Sequence, residues 1–370
     1  MQIVTVNSGS TSVKLAAFRL GPGGSVLQFD HEHRTGKDLV PRDVLAGFLS
    51  RLGGRTDAIA HRIVHGGNRF TAPVALDTQV LHELAELSEL APLHNPKALE
   101  WIEASRAVAP AEVLQVAAFD TAFFATLPRL AAEYALPERM GAACGVRRYG
   151  FHGLAHQAMW RRWCELHPTL PAGGRLLTLQ LGGGCSIAAI ARGRPLDTTM
   201  GFSPLEGLVM ETRSGDIDAA VVPYLARHLG VDAEKVIELL NREAGVAGLS
   251  GGVTDLGKLA ADPSPQAQFA LDLYCYRARK YMGAYLSVLG GCDGIVFGGG
   301  VGEHVPAVRE RILGGMKWAG VELDPAANQA SRGQEAAIQG PGSRVRVHVI
   351  VVDEERELVR AALERLNSHR

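Results

Sequence analysis

Hydrophobic positions along the chain fall into two kinds of run. Short runs rich in valine, isoleucine and leucine predict strands over 3–6, 13–18, 58–64, 113–119, 176–179, 187–190, 294–297 and 344–352. Longer stretches with apolar residues three or four apart predict helices over 40–52, from Asp77 to just before Pro92, from Asn95 onward, over 232–241 and over 266–289. Gly53 and Gly54 stop the first helix. Asp77 caps the second, which puts Val80, Leu81, Leu84 and Leu87 on one face. Asn95 and Pro96 read as the N-cap and first residue of the third. Residues 21–24 read as a turn, and the glycine-rich LSGGVTD at 249–255 as a loop. Strands that alternate with helices describe an α/β protein.

The pattern also repeats. The first two strands are joined by NSGSTS at 7–12, and those at 176–179 and 187–190 by a turn containing GGG at 182–184. With Gly182 laid on Gly9, strand, small-residue turn and strand recur, which predicts a duplicated domain. A chain of 370 residues is too long for one small core and has room for two.

Composition narrows the class. Apolar residues make up 46% and charged residues 21%, as in an ordinary globular protein. The net charge of −1 and the lack of a basic run give no electrostatic support for a nucleic-acid or membrane partner. Cys144, Cys164, Cys185, Cys275 and Cys292 are odd in number and lack metal-ligand spacing, which fits reduced thiols in the cytoplasm. The N-terminus has no basic n-region and no apolar run could span a bilayer, so the expectation is a soluble cytoplasmic protein.

Several interruptions carry residues that a core does not need. The turn at 7–12, with Lys14 just beyond, either wraps phosphate oxygens or is a plain hairpin turn. Arg62 lies inside an apolar strand and needs an anion or a carboxylate there. Asp120 follows the carboxyl end of a strand, where α/β proteins place site residues, or else caps a helix. His152 stands between Gly150 and Gly153 with little packing reason. The stretch 197–218, DTTMGFSPLEGLVMETRSGDID, is broken by Gly201, Pro204 and Gly207 and carries Glu206, Arg213 and Asp216. It is either a site-forming loop or a connection with a surface ion pair. The glycine run after the strand at 294–297 lets backbone approach a nucleotide closely, yet it fits neither GxGxxG nor GxxxxGK[ST]. Asp353, Glu354 and Glu355 suit the first turn of a helix, or a hard cation.

An ordered set of segments gives the chain its resemblance to the acetate kinase family, the acetate/propionate kinases. They are VNSGSTSVK at the start, HRIVHGG at 61, LAPLHNP at 90, FDTAF at 119, RRYGFHG at 147, DTTMGFSPLEGL followed by TRSGDID, KYMGAYL at 280, FGGGVGE at 297 and the acidic pair at 354. The resemblance covers nearly the whole chain. It implies a duplicated α/β fold of the actin–hexokinase, ribonuclease H-like type, with the site in a cleft between the halves. The implied domains are 1–149 and a nucleotide-binding 150–353, with a helix of about 354–370 packing back on the first. The implied reaction moves the γ-phosphoryl group of ATP to acetate, giving acetyl phosphate and ADP, in both directions.

The resemblance assigns catalysis to Arg62, Asp120, His152 and Arg213, and the acyl pocket to Arg62, Val64, Leu93, Phe151 and Pro204. It assigns the nucleotide to Lys14, Gly182, Gly183, Gly184, Asp255, Gly300, Val301 and Gly302. It assigns magnesium, with manganese as a substitute, to Asn7 and Glu354. It also implies a homodimer. Chemistry agrees with these residue types. Acetate is already ionised at neutral pH, so the site needs no general base to make the nucleophile. It needs cations and donors that let a carboxylate meet a polyphosphate.

Departures gather on the ATP side. The second phosphate loop reads QLGGGCS where the family reads HLGNGAS, so Gln180 and Gly183 replace a histidine and an asparagine. GLAH replaces GTSH after His152, Glu211 replaces a small residue, and Gly257 replaces an arginine for which Lys258 is positioned to compensate. Altered nucleotide affinity or donor preference is expected, with ATP favoured over pyrophosphate because Gly300 leaves the base pocket open. Glu211 is expected to pair with Arg213 and compete with the substrate. The competing readings are a propionate or butyrate kinase and a catalytically weak acyl-phosphate or nucleotide sensor.

Overall fold

The computed structural model describes residues 1–9, 12–21, 25–36, 38–92 and 94–368. Ser10 and Thr11 of the first turn, residues 22–24 of the next turn, and Leu93 lie outside the described residues.

The first sheet holds β1 (Gln2–Ser8), β2 (Ser12–Leu20), β3 (Val26–Thr35), β4 (Ala58–Ile63), β5 (Val74–Ala75) and β6 (Leu114–Phe119), in the order β3-β2-β1-β4-β6-β5. β1, β4 and β6 run parallel. β1 is buried along its whole length because both faces are covered, which is why its apolar run does not alternate. One face packs Val4, Val6 and Leu15 against Phe48 and Trp101 of helices Pro41–Leu52 and Asn95–Val108. The other packs Ile3, Phe18 and Val116 against Leu358, Val359 and Ala362 of the terminal helix Glu354–Ser368.

The second sheet holds β7 (Arg175–Leu181), β8 (Cys185–Ala191), β9 (Arg194–Thr198), β10 (Gly294–Gly298), β11 (Ala336–Ala337) and β12 (Arg346–Val349), in the order β11-β12-β10-β7-β8-β9. Each sheet has the same plan. Three antiparallel strands form a meander, its first strand begins a parallel trio, and a two-residue antiparallel strand closes the far edge. This is the duplication expected from the two hairpins.

Several local expectations need correction. β3 was missed because VLQFDHEHRT is mostly polar and exposed; pairing with β2 makes it a strand, not burial. Asn95 is the first helical residue and His94 the N-cap, because the buried Asn95 amide bonds the backbone N and O of His65 instead. β12 is shorter than 344–352 because Arg344 and Val345 donate to Gly320 O and Val352 donates to the Glu303 carboxylate. Leu249 and Ser250 end a short helix, Gly245–Ser250, before the loop begins.

The chain divides into two compact units. The first is Met1–Ala125 with His152–Leu154 and Asp353–Arg370; the second is Thr126–Phe151 with Ala155–Val352. This differs from a boundary at 149/150. Residues 126–149 join the second unit because Arg148 donates to Thr198 O and Thr199 O, and Tyr149 N to Gly201 O. Residues 152–154 join the first because Gly153 packs directly on the Asp120 backbone.

Candidate functional site

The first unit gathers charged residues where its parallel strands end. Asn7 is near the end of β1, Arg62 near the end of β4, and Asp120 just past β6. Arg62 Nη2 and Nε donate to Asp120 Oδ2 at 2.7 and 3.1 Å, and Nη1 donates to Asn7 Oδ1 at 3.2 Å. Glu354 Oε2 lies 3.9 Å from Arg62 Nη1. Asn7 Nδ2 donates to Glu354 Oε2 at 2.7 Å and Glu355 Oε1 at 3.2 Å, so both ends of its amide are engaged. Arg62 therefore has its carboxylate partner, and Thr121, not Asp120, is the N-cap of the short turn that follows β6.

Electrostatics follow from burial and charge. Burial alone would weaken the Arg62 cation, but Asp120 and Glu354 hold it protonated. Burial pushes the Asp120 carboxyl upward and Glu354 adds to this, against Arg62. Burial would raise Glu354 as well, but Arg62, the Asn7 amide, His152 and Lys14 bring it below the ordinary carboxylate range. Glu355 is raised by burial and by the Glu354 charge. Lys14 is exposed on β2 opposite Asn7, and its charge acts on both glutamates.

His152 has φ 58°, a left-handed conformation that it shares with Ala172 and Arg192 and that costs a non-glycine residue energy. A Cβ at Gly153 would stand 2.0 Å from Asp120 O, so only glycine allows this approach. Val64 is buried in the first unit.

A divalent ion fits the donor chemistry here. Asp120 Oδ1 is buried without a hydrogen-bond partner. With Glu354 it offers hard carboxylate oxygen, and magnesium needs few protein ligands besides phosphate and water.

In the second unit, Gly182–Gly184 joins β7 to β8, with Gly182 N donating to Gly184 O at 3.1 Å. Gln180 Oε1 is buried and without a partner. Gly298 caps a short helix, Gly299–His304, so the glycine run opens a helix containing Gly300, Val301 and Gly302. A Cβ at Gly300 would meet nothing within 4 Å. Asp255 caps the helix Leu256–Ala261, accepting from Gly257 N and Lys258 N through Oδ1.

Arg213 Nη1 touches Pro204 O at 3.3 Å and Met210 Sδ at 3.7 Å; among the described residues no carboxylate lies within ion-pair reach. Burial pulls its pKa down. The expected Glu211–Arg213 pair is therefore absent. Glu211 turns to the phosphate loop instead: its Oε2 lies 3.1 Å from where a Gly183 Cβ would stand. Gly183 is what leaves that room. Burial and Asp255 raise the Glu211 pKa. Phe151 is buried in this unit and Pro204 half-buried.

Sequence reasoning missed two supports. Arg309 is fully buried and donates to Gly302 O, Glu303 O, Asn328 Oδ1, Asn328 O and Ser331 O, which fixes the glycine helix from behind. Glu303 Oε1 accepts from Gly299 N and Val352 N. The other support is a tyrosine–carboxylate network around Glu206 and Asp216. Its Arg148 and Tyr281 lie in the quoted segments at 147 and 280, which was the available signal.

Known proteins resemble this chain over nearly its whole length. A model of the acetokinase family matches residues 31–360. An acetate kinase of Bacteroides thetaiotaomicron is 39% identical, over 96% of this chain and 97% of that protein. The crystal structure of Porphyromonas gingivalis acetate kinase superposes with a TM-score of 0.87 at 35% identity, covering 99% of both chains. A propionate kinase from Francisella tularensis superposes with a TM-score of 0.87 at 30% identity, over 97% of this chain and 98% of that one.

Proposed function

Since the chain belongs to the acetokinase family and carries the acetate kinase activity of that family, we propose how its own residues perform the reaction. An acetate oxygen attacks the γ-phosphorus of ATP in line. A P–O bond forms, the bond to the ADP oxygen breaks, and no proton is transferred because acetate enters ionised. The reading rests on one observation above all: Arg62 is bonded to Asp120 and Asn7 together, beside Glu354, at the carboxyl ends of parallel strands.

In this reading Arg62 orients the substrate carboxylate, and Asp120 and Asn7 hold the guanidinium in place. Arg213, which has no carboxylate partner among the described residues, meets the negative charge of the transferring group, and His152 donates to it. Val64, Leu93, Phe151 and Pro204 receive the methyl group. Gly183 and Gly184 cradle phosphate with their backbone N–H groups, in a turn that Gly182 closes through its own N–H to Gly184 O. Asp255, Gly300, Val301 and Gly302 face the nucleoside, and Lys14 serves the phosphates. Magnesium, or manganese in its place, would neutralise phosphate charge when bound, held by Asp120 and Glu354 with Asn7 orienting the latter. Propionate adds one methylene, worth about 1–3 kcal/mol in a pocket, and is expected to react more slowly than acetate. A cytoplasmic homodimer is part of the same reading; the five thiols are free, and no helix among the described residues is long and apolar enough to cross a membrane.

The test is acyl hydroxamate trapping with Mg-ATP, hydroxylamine and acetate, propionate or butyrate in turn. Acetate is expected to give the highest kcat/KM, and ATP to surpass GTP and pyrophosphate as donor. No hydroxamate with any acid, beside an active control enzyme, would leave the sensor reading in its place. Light scattering after size exclusion checks the dimer.

A further inference from the structure

The loop that carries Arg213 is strapped from two sides. Its neck closes where Gly207 N donates to Asp216 Oδ1 at 2.8 Å and Asp216 N donates to Gly207 O at 3.0 Å. Near its tip Met210 N donates to Arg213 O at 3.0 Å. The first strap is Tyr281, on helix Pro265–Leu289, whose O–H donates to Asp216 Oδ2 at 2.5 Å. The second grips Glu206, one residue before the neck. Arg148 Nη2 donates to Glu206 Oε1 at 2.5 Å, and the Tyr134 O–H donates to Oε2. Tyr134 Oη in turn accepts from Phe202 N at 2.8 Å.

Arg213 contributes little to its own placement, since among the described residues its side chain donates to a carbonyl and a thioether and makes no ion pair. The loop must therefore aim it. A cation that stabilises a transition state has to be held before the reaction, and a misplacement of about 1 Å can cost about a hundredfold in rate.

We propose that Tyr281 and Tyr134, acting through Asp216 and Glu206, are positioning residues that aim Arg213 at the transferring phosphoryl group. This rests on the reading of Arg213 as the transition-state cation. Neither tyrosine is asked to touch substrate. Each hydroxyl adds a second hold on a carboxylate, Asp216 beside Gly207 N and Glu206 beside Arg148, and so limits how far the loop neck shifts.

The experiment compares Tyr281→Phe, Tyr134→Phe, Arg213→Ala and the double variant Tyr281→Phe/Arg213→Ala in the full chain, by hydroxamate kinetics and thermal melting. Each tyrosine variant loses one oxygen and keeps its ring. Roughly a tenfold fall in kcat is expected for Tyr281→Phe, with the KM for ATP within about twofold of the parent. The double variant is expected to be no slower than Arg213→Ala, because Tyr281 works only through that arginine. If Arg213→Ala collapses activity while both tyrosine variants keep their kcat, the proposal falls and the role of Arg213 stands. An equal further loss from Tyr281→Phe in the Arg213→Ala background also overturns it. Full activity in Arg213→Ala removes the reading beneath the proposal, and the proposal with it. Should Tyr281→Phe not fold, Tyr134→Phe and Tyr134→Phe/Arg213→Ala decide by the same criteria.

Discussion

Arg62 shows how one residue carries both stability and chemistry. It is bonded to a wholly buried Asp120, so removing the cation leaves a buried carboxylate without its ion-pair partner. Arg62→Met should destabilise the protein by about 3–5 kcal/mol, seen as a large fall in the calorimetric Tm, and abolish turnover. An unchanged Tm would mean that Asp120 finds another partner. Glu211 needs a new expectation. Because it borders Gly183 and not Arg213, Glu211→Gly should leave the acetate KM unchanged and lower the KM for Mg-ATP. Steady-state kinetics with each substrate varied in turn would check this, and a lowered acetate KM would restore the pairing idea. At this scale the sequence was legible as far as residue type. An arginine in an apolar strand demanded an anion, and Asp120 supplied it. The destination of Glu211 was not legible, because a side chain two positions from Arg213 in a bent loop can point either way.

Elements were legible wherever burial is two-sided or a cap is local. Asp77 and Asp232 accept from the first-turn amides of their helices, where the chain pattern puts the helix starts, and Ser264 caps the long helix just before its expected start at 266. Asn95 broke that rule because a long-range partner competed for its amide, and β3 escaped because an edge strand needs no apolar face. The glycine helix Gly299–His304 is too short to hold itself and depends on Arg309, which ties it to Asn328 and Ser331. Arg309→Leu would strand several carbonyl groups at about 1–3 kcal/mol each. A raised KM for ATP with a smaller change in the acetate KM is expected. Equal effects on both would show general destabilisation and not a loosened nucleotide loop.

For the whole molecule, buried histidines set the acid limit of stability. His61 is buried against Gln115 at 2.8 Å, and burial pulls its pKa down to about 4. His348 is likewise pulled down to about 4 by burial and by its neighbour His167. A histidine depressed in the folded state is neutral there while the unfolded chain takes up protons, from about pH 6.5 downward. Stability should therefore be full above about pH 6.5 and fall as pH drops toward 4. Melting curves at stepped pH would show it, and His61→Gln should flatten the slope; an unaltered slope would move the effect elsewhere. The sequence by itself determined the repeated hairpins, the apolar strands, the helix starts and the kinds of charge the chemistry needs, because periodicity and capping act over a few residues. Only the tertiary structure decided the partnerships. Asn7 meets Glu354 across 347 positions, and Arg62 meets Asp120 across 58. Strand order sets those meetings, and no local pattern encodes it. The same holds for the loop at 197–218: its breaks left it open between a site-forming loop and a plain connection, and the tyrosines that hold Glu206 and Asp216 come from 134 and 281 and became visible only once the chain was folded.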